Sequence, residues 1–444
     1  MARGGAAEQA AKTTFRDVFA VAEFRALWLA QLLSVIGDQL ARIALTILVY
    51  DRTRSALLAA VTFVVSIVPT FIGGITLAWL ADRHPRRGVM IVCDLARCAL
   101  VLVMAVPGMP LVGMVALLFL VTLVGAPFLS ARAAIVPDML AGDKYVVGTA
   151  VTLTTFQFAQ VIGFAAGGTI VGFFGTRVSL VIDGATFAAS ALILRGWVRS
   201  RPATGTLARR GSERSRLSGI IGGTRLVFAS RILRTTMLFG WLAAFYNAPE
   251  GVVTPLARAL GGGAVAVGVI LAAQALGEAA GAIVFSRFVA PSTRLRYMGP
   301  LAVATSAILV LFLWRPGLLL TLLILFASGL CASYQLAANA AFVSAAPQER
   351  RSQAFGLAQG GMSLGQGIVL ILAGAAADHH SPALVISVCG AIGAMLALVI
   401  ALNWLRDRDQ VGGRHLTRLT GQVKSTGRRA SGILLSGCPG RVGS

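Results

Sequence analysis

The chain has 444 residues, of which 57% are hydrophobic and 13% charged, with a formal net charge of +22. A soluble domain of this length has no interior large enough to hide that much apolar surface, so the composition excludes an ordinary water-soluble globule. The basic excess does not point to nucleic acid, and no such partner is expected: Lys and Arg sit between apolar blocks and in the tails, not on one soluble domain.

The first 25 residues are polar and carry Arg3, Lys12, Arg16 and Arg25, so no cleavable signal peptide is expected. Apolar blocks follow, each long enough to cross the hydrocarbon core as a helix of about 20 residues. Helices are the expected form, because in lipid every backbone polar group must be satisfied internally. Taken in order, spans are predicted near 26–50, 56–81, 89–106, 111–131, 146–174, 178–198, 236–257, 264–290, 298–314, 317–343, 354–377 and 382–405. The predicted organisation is a cytoplasmic segment over 1–25, a six-helix bundle over 26–198, and a cytoplasmic basic linker over 199–235. A second six-helix bundle covers 236–405, and a basic disordered cytoplasmic tail covers 406–444. The fold class is thus an all-α membrane protein, with twelve transmembrane helices in two pseudo-symmetric six-helix bundles.

Orientation follows from Lys and Arg. Thirty-two of the 39 lie at the termini and in every second linker; five (Arg52, Arg54, Arg177, Arg258 and Arg315) lie in the opposite linkers, and Arg42 and Arg97 fall within spans. Both termini are therefore expected in the cytoplasm of a bacterial cell, with the chain multi-pass in the inner membrane.

The halves echo each other. Span four ends in Ser130-Ala131-Arg132-Ala133-Ala134 before Pro137; span ten ends in Ala337-Ala338-Asn339-Ala340-Ala341 before Pro347. Span five carries Gly163, Gly167, Gly168 and Gly172, and span eleven carries Gly356, Gly360, Gly361 and Gly365. Each set holds two consecutive GxxxG spacings, which permit close helix packing. Parallel six-helix repeats suit a protein with a binding site at the repeat interface.

The 2–3 linker reads Ala78-Trp79-Leu80-Ala81-Asp82-Arg83-His84-Pro85-Arg86-Arg87. It resembles the signature loop of the major facilitator superfamily. Phe24 to Trp28 with Ser34 and Gly37-Asp38, Arg132 to Asp138, Gly163 to Gly168, Asp183 with Phe187 and Ser190, and Pro347 to Gly356 resemble that superfamily's macrolide-efflux and siderophore-exporter branch. The resemblance covers about residues 20–405. The sequence departs from the pattern at Ala78 and Pro85, where glycine is usual, and at Phe164, where the antiporter motif has proline.

The resemblance implies that Asp82 holds the cytoplasmic ends of neighbouring helices together, with Arg83, Arg86 and Arg87 in the same loop and Arg132, Arg350 and Arg351 as candidate partners. Asp94 and Arg97, three residues apart on one face, are expected to form a structural ion pair. Deeper groups are expensive in the bilayer and are functional candidates for that reason. Asp38, Glu278 and Glu250 are the candidate proton-coupling carboxyls. Gln31, Ser34, Asp38 and Arg42 share one helical face, where Asp38 and Arg42 also have the spacing of a static pair. Tyr246, Asn247, Gln274, Tyr334, Gln335 and Asn339 complete a candidate central cavity. Asp183, toward the outer end of span six, reads as structural.

The five cysteines show no metal-site spacing, and adjacent His379 and His380 make a weak case for metal, so neither a metal nor another cofactor is expected. No P-loop occurs, so the proton gradient, not ATP, is the expected energy source. The four histidines are scattered, which argues against an enzyme or sensor. The expected function is proton-coupled efflux of a small amphipathic molecule by a monomer whose other partner is the bilayer. The alternative is an uptake permease or facilitator on the same fold, since fold does not fix direction. Reporter fusions after Leu57, His84 and Pro110 are expected to read periplasmic, cytoplasmic and periplasmic; the opposite alternation overturns the orientation.

Overall fold

The structure is a computed structural model, and it describes residues 14–77, 79–201, 224–347 and 350–405. Residues 1–13, 202–223 and 406–444, which belong to the predicted terminal segments and central linker, lie outside the described residues. Among the described residues there are helices and no strands.

After a short helix at Phe15–Phe19, the N-terminal half comprises α1 (Ala22–Thr53), α2 (Ala56–Gly74), α3 (Arg86–Met104) and α4 (Leu111–Met139). The continuous stretch Asp143–Trp197 breaks at Gly175, whose φ of 81° lies in the left-handed region that glycine adopts without strain. It therefore forms two spans, α5 before Gly175 and α6 after it. The C-terminal half comprises α7 (231–259, in four short pieces), α8 (Ala264–Phe288), α9 (Thr293–Trp314), α10 (Leu318–Ala345), α11 (Arg351–Ala377) and α12 (Pro382–Leu405).

Nine helices among the described residues are long and apolar enough to cross a membrane. The break at Gly175 turns one of them into two. α3 adds another, although Arg86, Arg87, Asp94 and Arg97 make it too charged to register on hydropathy alone. The pieces of α7 add the last, giving twelve spans. Three spans are interrupted near mid-depth: α2 around Ser66–Ile67 ahead of Pro69, α7 around Asn247 ahead of Pro249, and α10 at Ala332–Ser333. Proline removes a backbone donor and ends the ladder, and such breaks are tolerated at membrane depth where protein or a polar cavity takes up the freed groups.

In the first bundle α1 runs along α5, and α3 packs against α4 and α6; in the second, α8 packs against α10. Between the bundles the main contacts are α5 with α8 and α2 with α11. Adding six to a span's number exchanges these two pairs, as a repeated architecture requires. The close approaches rest on small residues. A Cβ built on Gly268 would meet the Gly168 Cα at 2.7 Å and the Phe164 carbonyl oxygen at 2.5 Å, so only glycines allow α5 and α8 to cross there.

Residues 55, 258 and 378 lie at one end of the molecule, the distal end, opposite the end from which α1 starts and at which α12 finishes. The largest apolar core joins Ile43, Phe63 and Phe164 to Leu256, Val267 and Ile270, and so crosses the bundle interface in the distal half. The cores toward the terminal end stay within one bundle each: Phe24, Met90 and Ile135 in the first, and Met237, Phe342 and Ala354 in the second. Gly268→Val is expected to cost about 1–3 kcal/mol through overpacking, read as a lower unfolding midpoint. Gly356→Ala, where a Cβ meets nothing within 4 Å, is expected to leave the midpoint unchanged.

Candidate functional site

The first bundle surrounds a buried guanidinium. Arg97 on α3 extends toward α1, where Nη2 pairs with Asp38 and Nη1 donates to Ser34 Oγ at 3.1 Å. Asp94, one turn earlier on α3, approaches Arg97 Nη1 at 3.8 Å and accepts a hydrogen bond from Ser190 Oγ of α6 at 2.5 Å. The guanidinium also stands 4.0 Å from the centre of the Phe187 ring. The Arg97 side chain is 6% exposed and that of Asp38 37%, so one partner of the pair is held in the bundle while the other meets open space.

This geometry corrects the spacing argument. Asp38 and Arg42 are one turn apart, but the partner of Asp38 is Arg97. Arg42 donates instead to the Ser66 carbonyl at 3.4 Å, in the break of α2, and lies 5.2 Å from the centre of the Phe63 ring. The Asp94–Arg97 pair exists as a long contact within this larger cluster. Asp183 is no surface group: it is fully buried, with its carboxyl against Gly37 of α1 and neither oxygen hydrogen-bonded. A side chain at position 37 would collide with Asp183 and Thr186, so glycine there makes room for them. Two carboxyls, Asp38 and Asp94, thus share one buried guanidinium, and Asp183 is buried without an ion pair of its own among the described residues.

The second bundle contributes a neutral network. Gln335 Nε2 reaches the Tyr334 hydroxyl at 3.2 Å, the Tyr246 hydroxyl at 3.4 Å and the Gly240 carbonyl at 3.2 Å, while the Tyr334 hydroxyl donates to the Phe239 carbonyl at 3.1 Å. Gln274 Nε2 donates to Asn247 Oδ1 at 2.8 Å. Glu250, in the broken part of α7, accepts from Gln366 Nε2 of α11 at 3.1 Å. Glu250, Glu278 and Arg42 are all half-buried, and Glu250 lies within electrostatic reach of both others. Gln31 is buried on α1, and Asn339 is exposed farther along α10. The interruptions of α2, α7 and α10 place these groups around the mid-depth of the bundle interface.

Two ionic contacts cross between the bundles at the distal end. Asp378, closing α11, accepts from Ser55 Oγ at 2.9 Å and from the amides of Ala56 and Leu57, so its carboxylate sits on the N-terminus of α2. Arg258 of α7 holds both carboxylate oxygens of Asp51 of α1, at 2.8 and 2.9 Å. Sequence reasoning missed both. Each partner is an ordinary charge at a helix end, and only the packing of one bundle on the other brings the pairs together. Gln366 was missed as well; its signal was an amide in the apolar half of span eleven.

At the terminal end, Arg86 bonds the Ala134 carbonyl at 2.8 Å and Asp138 at 2.6 Å, and Arg87 bonds the Arg195 carbonyl. Arg83 lies 5.3 Å from the Trp79 ring. Asp82 belongs to the helix Trp79–Arg83, and its side chain is outside the described part of the structure. Arg132 is half-buried with no ion-pair partner among the described residues; Arg350 caps α11, and Arg351 approaches the Ala346 carbonyl at 3.5 Å. Of the glycines, Gly163 and Gly167 admit Gln39 and Ile43, Gly172 meets Val265, Gly360 and Gly361 lie under Phe71 and Trp241, and Gly365 makes ordinary contact with Ala244.

The profile of the Major Facilitator Superfamily matches residues 27–254 and 246–431. The chain belongs to this superfamily. Among solved structures, it is similar to a bacterial homologue of the human lysosomal transporter Spinster, inward-facing and unoccupied, with TM-score 0.65, 15% identity and coverage of 89% of this chain and 99% of that one. It is similar to a bacterial homologue of the iron transporter ferroportin in an inward-facing state, with TM-score 0.64, 12% identity and coverage of 89% and 99%. A variant of the nucleoside transporter NupG gives TM-score 0.64, 16% identity and coverage of 86% and 99%. At these identities the likeness is one of fold. No curated protein matches the chain.

In this major facilitator protein the Arg97 cluster holds a charged side chain, 6% exposed, inside the first bundle. Arg97→Met leaves Asp38 and Asp94 without their counter-charge and is expected to cost about 3–5 kcal/mol, read in thermal unfolding of the purified protein. Arg97→Met combined with Asp38→Asn is expected to recover part of that loss. Equal midpoints for wild type and Arg97→Met exclude a structural role for the cluster.

Proposed function

We propose that this major facilitator protein is a secondary active exporter of a small amphipathic molecule, driven by proton entry through alternating access. The observation that carries the reading is the Asp38–Arg97 pair, at mid-depth with one partner buried and the other open. A carboxylate freed from that arginine is too costly to leave charged within the bundle, so breaking the pair favours uptake of a proton. Asp38 is the leading coupling residue, and Glu278 and Glu250, opposite on the second bundle, follow it. The proposed cavity is the interface lined by Arg42, Tyr246, Asn247, Gln274, Gln335 and Asn339.

In this reading both termini face the cytoplasm of a bacterial inner membrane, on the Lys and Arg asymmetry. The distal end is then periplasmic, and the contacts of Asp378 and Arg258 keep the outer gate shut while the terminal half faces inward. Asp82 closes the opposite gate by resemblance to the family. The two bundles, 26–198 and 236–405, move as units within a monomer.

Cells with and without the protein, exposed to a panel of amphipathic antimicrobials and dyes, test the reading. The protein is expected to lower accumulation of at least one compound, and a protonophore to abolish the effect. Asp38→Asn is expected to remove proton-driven efflux while retaining binding, and Asp82→Asn to slow transport at equal membrane abundance. Raised accumulation favours the uptake permease. Efflux by Asp38→Asn that still responds to pH removes Asp38 from the coupling role.

A further inference from the structure

Among the described residues, Arg42 and Glu250 stand without an ion-pair partner on opposite bundles. Arg42 belongs to α1. Its Nη2 reaches only a backbone carbonyl, at 3.4 Å, and its Nε is buried without a hydrogen-bond partner. No carboxylate among the described residues lies within ion-pair distance of it, since Asp38, one turn away, is bound to Arg97. Glu250 belongs to the second bundle and is held by a neutral amide, Gln366 Nε2, at 3.1 Å. The two charges are within electrostatic reach of each other, yet they form no ion pair.

Both sit where the backbone is interrupted. Arg42 points at the break in α2, and Glu250 lies in the broken centre of α7. An unpaired charge in an apolar bundle is expensive, so two such charges left apart describe a site whose counter-charges come from outside. An apolar wall backs the guanidinium. Phe63 stands 5.2 Å from the Arg42 guanidinium and belongs to the core that joins the bundles.

We propose that the chamber binds a zwitterion with an aromatic or aliphatic body, its anionic group on Arg42 and its ammonium group on Glu250. A carboxylate or phosphonate meets the planar guanidinium on two donors, and an ammonium replaces the missing cation at Glu250. A simple cation leaves Arg42 without a counter-charge, and a simple anion leaves Glu250 without one. A zwitterion satisfies both, and because the two groups belong to different bundles, it ties the halves together only when it is bound. Glu278 is not needed for this and stays available for a proton. The proposal rests on the transporter reading only in taking the chamber as a binding site; it does not depend on direction or energy source.

The test uses the full chain, purified into lipid nanodiscs, and three matched sets of probes. Each set contains a free amino acid or dipeptide (tryptophan, biphenylalanine, phenylalanyl-phenylalanine), its C-terminal amide and its N-acetyl derivative. Equilibrium dialysis gives affinity, and unfolding midpoints give stabilisation. At least one zwitterion is expected to bind tenfold or more tightly than both of its singly charged relatives. Arg42→Gln is expected to erase its advantage over the amide, and Glu250→Gln its advantage over the acetyl form, with Arg42→Lys retaining part of the preference. Amides that bind as tightly as the zwitterions, or no binding by any zwitterion, overturn the proposal. The wild-type comparison decides even if a variant does not fold. Zwitterion binding without transport in reconstituted vesicles leaves this inference standing and removes the export reading.

Discussion

A guanidinium in an apolar helix bundle has to be neutralised, and in this protein the first bundle is arranged around that need. Arg97 draws Asp38 and Ser34 of α1 to it, shares Asp94 with Ser190 of α6, and lies against Phe187. The polar atoms of three helices meet at one charge, so none of those helices can rotate far without stranding a charge or a hydroxyl. The cluster therefore fixes how α1, α3 and α6 face each other, and through α1 it fixes which residues face the second bundle. Of the two carboxylates paired with Arg97, Asp38 is the one that reaches open space.

The second constraint is closure at the distal end. An acidic side chain on the N-terminus of α2 and a two-bond ion pair between Asp51 and Arg258 join surfaces that otherwise meet through small residues and apolar contacts. Contacts of this type are weak where water competes, so they join the two halves without locking them. The glycine crossing of α5 and α8 supplies close packing with few interlocking side chains. That combination suits two rigid bundles that separate at one end as they approach at the other.

Much of this was legible in the sequence, and the reasons are physical. Span number, the two halves and the loop after α2 follow from the length of apolar blocks, which the bilayer dictates. The polar face of Ser34, Asp38 and Arg42 follows from helical periodicity alone. Pairing does not. Asp38 had a partner one turn away and another on α3, and only packing chose Arg97. Asp183 falls toward the outer end of span six, but its burial against Gly37 was not legible, because sequence gives depth along a span and not which way the span faces. The break that defines α7 was legible only as two prolines, and it lowered the apolar continuity by which a span is recognised. Cross-bundle contacts such as Asp378 with α2 depend on the quaternary-like meeting of two halves, which joins residues more than 300 positions apart in sequence.

The central claim is that the two bundles move as units about an interface now closed at the distal end. Distances between spin labels in lipid nanodiscs test it most directly, on a background with the five cysteines replaced. One label pair, at Leu57 and Ser381, spans the distal end; another, at Arg83 and Arg351, spans the terminal end. The account predicts a short, narrow distal distance in the substrate-free protein. With Asp378→Ala, it predicts that a longer distal population appears together with a shorter terminal one. Distances that stay fixed at both ends, or that lengthen at both, contradict it.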